Sequence, residues 1–170
     1  MDSYNYEIGQ YVVYGDDGVC RVVDIGKPDM PHLDAAEQFY FLKPLDYDGM
    51  IYAPVSSASH MRPVMEAGRA ARLLDEIKIM NCDAVVCRDK KQMQAQYESM
   101  LAKDDCEAYA RTVKSIYTKR GNCPSSKKKL SLMEEQLLKR IERSLVSELA
   151  VALNMPAETV RKRLESACAQ

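Results

Sequence analysis

A chain of 170 residues is long enough for one or two domains with a real hydrophobic core, which excludes a mini-protein held together by disulfides or metal. With 46% hydrophobic and 29% charged residues, and seven each of Gly and Pro, it is neither collagen-like nor broadly disordered. The net charge of −1 hides an asymmetry: residues 1–65 hold ten acids and four bases, a net of −6, whereas residues 66–170 hold twenty bases and fifteen acids, a net of +5. An acidic front and a basic back predict two modules with different partners, the basic one suited to a polyanion. The apolar runs are short and interrupted by charge, and the start lacks both the basic and the apolar stretch of a signal peptide. The expectation is a cytoplasmic protein with no membrane partner.

The first 65 residues alternate between strand and turn chemistry. Tyr11-Val12-Val13-Tyr14 is β-branched and aromatic and ends at Gly15-Asp16-Asp17-Gly18; Val19 to Ile25 alternates around Arg21 until Gly26-Lys27-Pro28 breaks it. Glu37 to Leu42 reads as a third strand, and Met50-Ile51-Tyr52-Ala53 as a fourth, beyond the Asp46-Tyr47-Asp48-Gly49 turn. Arg62-Pro63-Val64 adds a short edge, and residues 27–36 a loop. Five short strands in so few residues predict a small, strongly bent barrel of SH3 or Tudor type.

After Val64 the period changes from two to 3.6. Leu73, Leu74, Ile77 and Met80 predict a helix over 66–80. Asp89 can cap a second, carrying Met93, Tyr97, Met100 and Leu101; Asp104 with Glu107 starts a third, with Cys106, Tyr109, Val113 and Ile116-Tyr117 inward until Gly121. Ser131 with Glu134 repeats that device for the longest helix, striped by Met133, Leu137, Ile141, Leu145 and Leu149; Pro156 limits it, and residues 157–168 form a last one. The predicted class is α+β: a small Tudor/SH3-like β-barrel over 1–65, then an all-α bundle of about five helices over 66–170.

The six cysteines contain no C-x2-C pair, and neither His32 nor His60 adjoins one, so the expectation is reduced thiols, packed as small hydrophobes or idle at the surface, and no metal. No phosphate-binding glycine loop, nucleophile elbow or H-E-x-x-H occurs. The paired acids Asp104-Asp105 and Glu134-Glu135 fall at helix starts, where the macrodipole accounts for them. The expectation is a non-enzyme without cofactor or small-molecule substrate.

The bases are better organised. No acid stands between Glu107 and Glu134, while Arg111, Lys114, Lys119, Arg120, Lys127, Lys128 and Lys129 supply positive charge. Arg111, Lys114 and Thr118 share a helical face that the spacing predicts to point outward, and the Pro124-Ser125-Ser126 loop presents the triple lysine. Arg88, Lys90 and Lys91 form a smaller cluster. This is an array for phosphate backbone, with an ordinary solvated face as the alternative. Residues 149–164 have the small-residue and turn spacing of a helix-turn-helix, in which Thr159, Arg161 and Lys162 would face a major groove; a closing helical hairpin is the other reading.

Tyr6 to Cys20 resembles the opening of the CarD-like (CdnL-type) bacterial transcription regulators, the match being carried by Gly9, Val12-Val13-Tyr14 and Gly18-Val19. Tyr40-Phe41-Leu42, Pro54-Val55, Arg62-Pro63-Val64, Met100 to Asp104, Val113 to Tyr117, Leu130-Ser131 with Glu134 and Leu138, and Val146 to Ala150 are similar to later family segments in the same order. The resemblance implies a Tudor-like module, shared with the transcription-repair coupling factor, that pairs by a strand edge with the RNA polymerase β subunit. Lys27, Ile51 and Tyr52 are the implied side-chain contacts. It also implies a helical module that meets promoter DNA and stabilises the open complex. Three positions depart from the pattern: the chain has no Trp for the family's wedge and offers Arg88-Asp89-Lys90-Lys91 there, Gly15 replaces a Pro, and Glu135 falls where a base is common. A strand-pairing adaptor for another protein and an autonomous helix-turn-helix protein are the other functions that these residues allow.

Overall fold

Turn residues set where each strand stops. Gly15 has φ +43° and Gly18 φ +73°, left-handed backbone that glycine adopts without a Cβ penalty, so the chain reverses through a single 3-10 turn, Gly15–Asp17. Proline, whose ring holds φ near −65°, could not take the place of Gly15 in this turn. The computed structural model describes residues 6–31, 37–81, 90–102, 105–121 and 130–169, and contains two compact units, Met1–Met65 and Glu66–Gln170.

The first unit holds strands β1 (Tyr11–Tyr14), β2 (Gly18–Gly26), β3 (Phe39–Pro44), β4 (Ile51–Pro54) and β5 (Met61–Pro63) in one antiparallel sheet of order β4-β3-β2-β1-β5. Its end strands do not pair with each other, so the sheet is open where the sequence predicts a barrel. A second 3-10 turn, Val55–His60, carries the chain from one edge to the other, and the closing strand is only three residues long and ends in Pro63, which has no N–H to donate. Period-two alternation places Val12, Cys20, Val22, Leu42, Ala53 and Met61 on one buried face with Tyr6 and Tyr40, whose rings meet edge to face at 5.8 Å. A bulge between Val22 and Asp24 inserts one residue in β2, which flips the parity and lets Ile25 also pack on this core.

The second unit holds α1 (Ala67–Ile79), α2 (Lys90–Ala102), α3 (Cys106–Gly121), α4 (Leu132–Ala152) and α5 (Ala157–Cys168) among the described residues. Ala70, Leu73, Leu74 and Ile77 line the buried face of α1, and Val160, Leu164 and Ala167 that of α5. α4 begins with a full capping box: the Ser131 hydroxyl accepts from the Glu134 N–H, and the Glu134 carboxylate accepts from the Ser131 N–H at 2.8 Å. It ends with Asn154 at φ +50°; the Asn154 N–H donates to the Val151 carbonyl and the Met155 N–H to that of Ala150. That is a Schellman ending in which Asn stands where Gly is commonest.

At the start of α3 the observed cap is Asp105, whose Oδ1 accepts from the Glu107 N–H at 2.9 Å; Asp104, like Asp89, lies outside the described residues. α3 packs against α1, α2, α4 and α5, which makes it the central helix of the unit and buries it on most sides. No helix among the described residues is long and apolar enough to cross a membrane.

Candidate functional site

The free edge of β4 is the first candidate surface. Residues 39–42 of β3 pair with residues 54–51 of β4, and the same register continues into the Val55 N–H bond to the Gln38 carbonyl. Antiparallel pairs alternate between bonded and non-bonded. Counting from the bonded Gln38 and Val55, Ala53 and Ile51 spend their main-chain groups on β3, whereas Tyr52 and Pro54 turn theirs outward. The edge therefore presents the N–H and C=O of Tyr52 and the C=O of Pro54. The Tyr52 ring stacks edge to face on Phe41 at 4.9 Å, which holds it on the sheet face away from the core. Ile51 is half-buried and packs on the core from the other face. Lys27 is exposed but lies just beyond β2, two strand spacings or roughly 10 Å inward from this edge. Ile51 and Tyr52 thus share the edge strand with their side chains on opposite faces of the sheet, and Lys27 stands apart from both.

The basic residues of the second unit divide differently from their sequence spacing. Arg111 and Lys91 are exposed. Lys114, predicted to share the outward face of Arg111, is instead buried at 5% exposure, and its ammonium donates to the Ala167 carbonyl at 3.1 Å, near the C-terminus of α5. The cause is the central position of α3: packed neighbours on several sides leave no broad solvent face, and the negative end of the α5 dipole supplies a partner for a buried cation. Thr118, also predicted to face outward, is half-buried and donates its hydroxyl to the Lys114 carbonyl.

Lys119 is committed as well, to the Glu134 carboxylate at 2.5 Å. Burial pushes the Glu134 carboxyl up, but the Lys119 ammonium and the Ser131 N–H and hydroxyl outweigh it and hold it below its ordinary 4.5. The sequence marks Glu134 only as a cap, because an ion pair fifteen residues apart has no local signature. Lys90 opens α2, and Arg88, Lys127, Lys128 and Lys129 lie outside the described residues.

In the segment 149–164, Val160 and Leu164 are buried, and α5 packs on α1, α3 and α4. Arg161 and Lys162 are exposed and Thr159 is half-buried. Among the described residues no group of His, Cys, Asp and Glu side chains is placed to hold a metal ion.

Residues 6–65 match the family model of the CarD-like/TRCF RID domain, and residues 86–165 match that of the CarD C-terminal domain. A comparison with curated proteins gives no match. The two family models fall in order on the strand unit and the helical unit, and on this ground the chain belongs to the CarD-like family of transcription-related proteins.

Proposed function

We propose that this protein is a non-catalytic, cytoplasmic transcription regulator. It docks on the RNA polymerase β subunit by adding the open β4 edge to a strand of its partner, and it lays its basic helical unit on promoter DNA so that the open complex is stabilised. The observation that carries the reading is the main chain of Tyr52, turned away from β3 and unpaired among the described residues, on the edge of a sheet that matches the RID domain. Strand addition takes affinity from such main-chain groups and specificity from neighbouring side chains, the role assigned to Ile51 and Tyr52, with Lys27 as an outlying contact. The −6 charge of residues 1–65 suits a protein partner and the +5 of residues 66–170 a polyanion.

On the helical side, Arg88, Lys90, Lys91, Arg111, Lys119, Lys127, Lys128 and Lys129 are the proposed phosphate contacts, with Lys119 weakened by its bond to Glu134. Lys114 is withdrawn from that set by its burial. Free DNA binding of this kind is weak and nonspecific, with Kd of roughly 10⁻⁴ to 10⁻⁶ M at physiological salt. Tethering to polymerase raises the effective concentration to roughly millimolar and makes it productive.

The test is co-purification of the full chain with core polymerase and cross-linking to its β subunit. Tyr52→Pro deletes the outward N–H without removing a β3 ladder bond, and is expected to abolish capture. Capture that is unaffected by Tyr52→Pro, or cross-links that avoid the β subunit, overturns the docking mode.

A further inference from the structure

α1 and α5 lie side by side in the helical unit, and a cleft of about 570 Å³ runs between them. The α5 wall is Thr159, Lys162, Arg163 and Ser166, at the i, i+3, i+4, i+7 spacing of one helix face. The α1 wall brings Asp75 and Lys78, and the small Ala71 keeps the cleft open. The neighbouring α5 face, Val160, Leu164 and Ala167, is buried in the core, so this wall is held on a packed helix.

The electrostatics of the cleft favour an anion. Its lining holds one acid, Asp75, which meets the Lys78 ammonium at 2.8 Å, against three cations, Lys78, Lys162 and Arg163. Lys162 reaches Glu158 only at 4.0 Å with its side chain 74% exposed, a pairing of little value. Arg163 has no ion-pair partner among the described residues. Lys162 and Arg163 thus stand between two hydroxyls, each of which can donate to an anion. From Thr159 to Ser166 the wall rises about 10 Å along the helix axis. Neighbouring phosphates of one strand stand about 6–7 Å apart, farther than their roughly 3.4 Å rise along the duplex axis, so the wall spans about two successive phosphates.

We propose that the α1–α5 cleft is a binding site for the phosphodiester backbone of nucleic acid, distinct from the cations of α2, α3 and residues 127–129. It rests on the reading of the helical unit as DNA-contacting and adds to it a second contact surface. Arg163 supplies the planar fork that suits phosphate oxygens, Lys162 a mobile point charge, and Thr159 and Ser166 hydroxyl donors at either end. The contact is blind to sequence, because none of these groups reaches a base edge when it holds backbone. It thereby gives Lys162 and Arg163 a role other than groove reading.

The experiment is a salt titration of duplex binding by the full chain, followed by fluorescence anisotropy, for wild type, the double variant Lys162→Ala/Arg163→Ala, and Arg161→Ala. Arg161 carries the same charge on the far side of α5, outside the cleft. The double variant is expected to lower the log–log salt slope by about 1.8, about 0.9 for each phosphate that the cleft no longer neutralises, with an unchanged thermal midpoint. Arg161→Ala is expected to leave the slope unchanged. An unchanged slope in the double variant, or an equal fall in Arg161→Ala, overturns the cleft while leaving DNA contact elsewhere intact. Absence of duplex binding by wild type overturns the DNA reading and this proposal with it. Loss of oligo-glutamate binding in the double variant, with the duplex slope untouched, overturns nucleic acid in favour of an acidic protein segment.

Discussion

The ammonium of Lys119, near the end of α3, and one carboxylate oxygen of Glu134 meet at 2.5 Å, while the other oxygen of Glu134 accepts from the N–H and hydroxyl of Ser131. One carboxylate therefore caps α4 and ties its start to the end of α3. Glu134 is 4% exposed, so losing a partner leaves a desolvated charge behind.

Lys119→Ala is expected to lower stability by about 1–3 kcal/mol, because it removes a charge-assisted bond from a buried acceptor. Glu134 titrates lower in the folded chain than its ordinary 4.5, so its contribution is fully present above that value and is lost as pH falls through the folded value. Denaturant melts between pH 6 and roughly pH 2 check this: the wild type is expected to lose stability on the acid side more steeply than Glu134→Gln, which has no such proton to gain.

Lys114 separates a structural from a DNA-contacting role. Lys114→Met keeps the buried stem and removes the ammonium that meets the Ala167 carbonyl. Its salt slope for duplex DNA is expected to equal that of wild type. Lys114→Glu sets a buried anion against that carbonyl, at the negative end of α5, and is expected to cost about 3 kcal/mol or more, or to prevent folding. Thermal melts and anisotropy on the same preparations read both quantities.

Replacing Lys127, Lys128 and Lys129 together by Ala is expected to weaken DNA association and to lower the salt slope by about 0.9 for each phosphate left without its ammonium, with no change in sequence preference. An ammonium neutralises phosphate as a point charge and carries no fixed geometry for reading bases. An unchanged slope assigns these lysines to solvation.

Cys20 gives the strand unit an alkaline limit. Burial in the sheet, then the nearby Asp17 and Asp46 charges, push its thiol from 9.0 up to about 12. Between those values the unfolded chain releases the proton and the folded chain keeps it, so stability falls as pH rises, by up to about 1.4 kcal/mol per pH unit. Subtracting the pH profile of Cys20→Ala from that of wild type is expected to isolate this decline above pH 9, and parallel profiles would refute it.

What the sequence determined by itself is local. The strand positions follow from β-branched alternation broken by Gly15 and Gly18, and the start of α4 from Ser131 and Glu134, because turns and caps are decided by residues within a few positions of one another. The family resemblance was likewise legible, since it rests on ordered short segments. The fate of Lys114 was not: at three residues from Arg111 it shares a predicted face, and only packing of α1, α4 and α5 around α3 buries it against Ala167, 53 residues away. Tertiary structure also decided that the sheet stays open, that Tyr52 rather than Ile51 turns its main chain to the free edge, and that Lys162 and Arg163 share a cleft with Lys78. Pairing register and helix packing bring together residues remote in the chain, and no periodicity within one segment encodes which face a neighbour will cover.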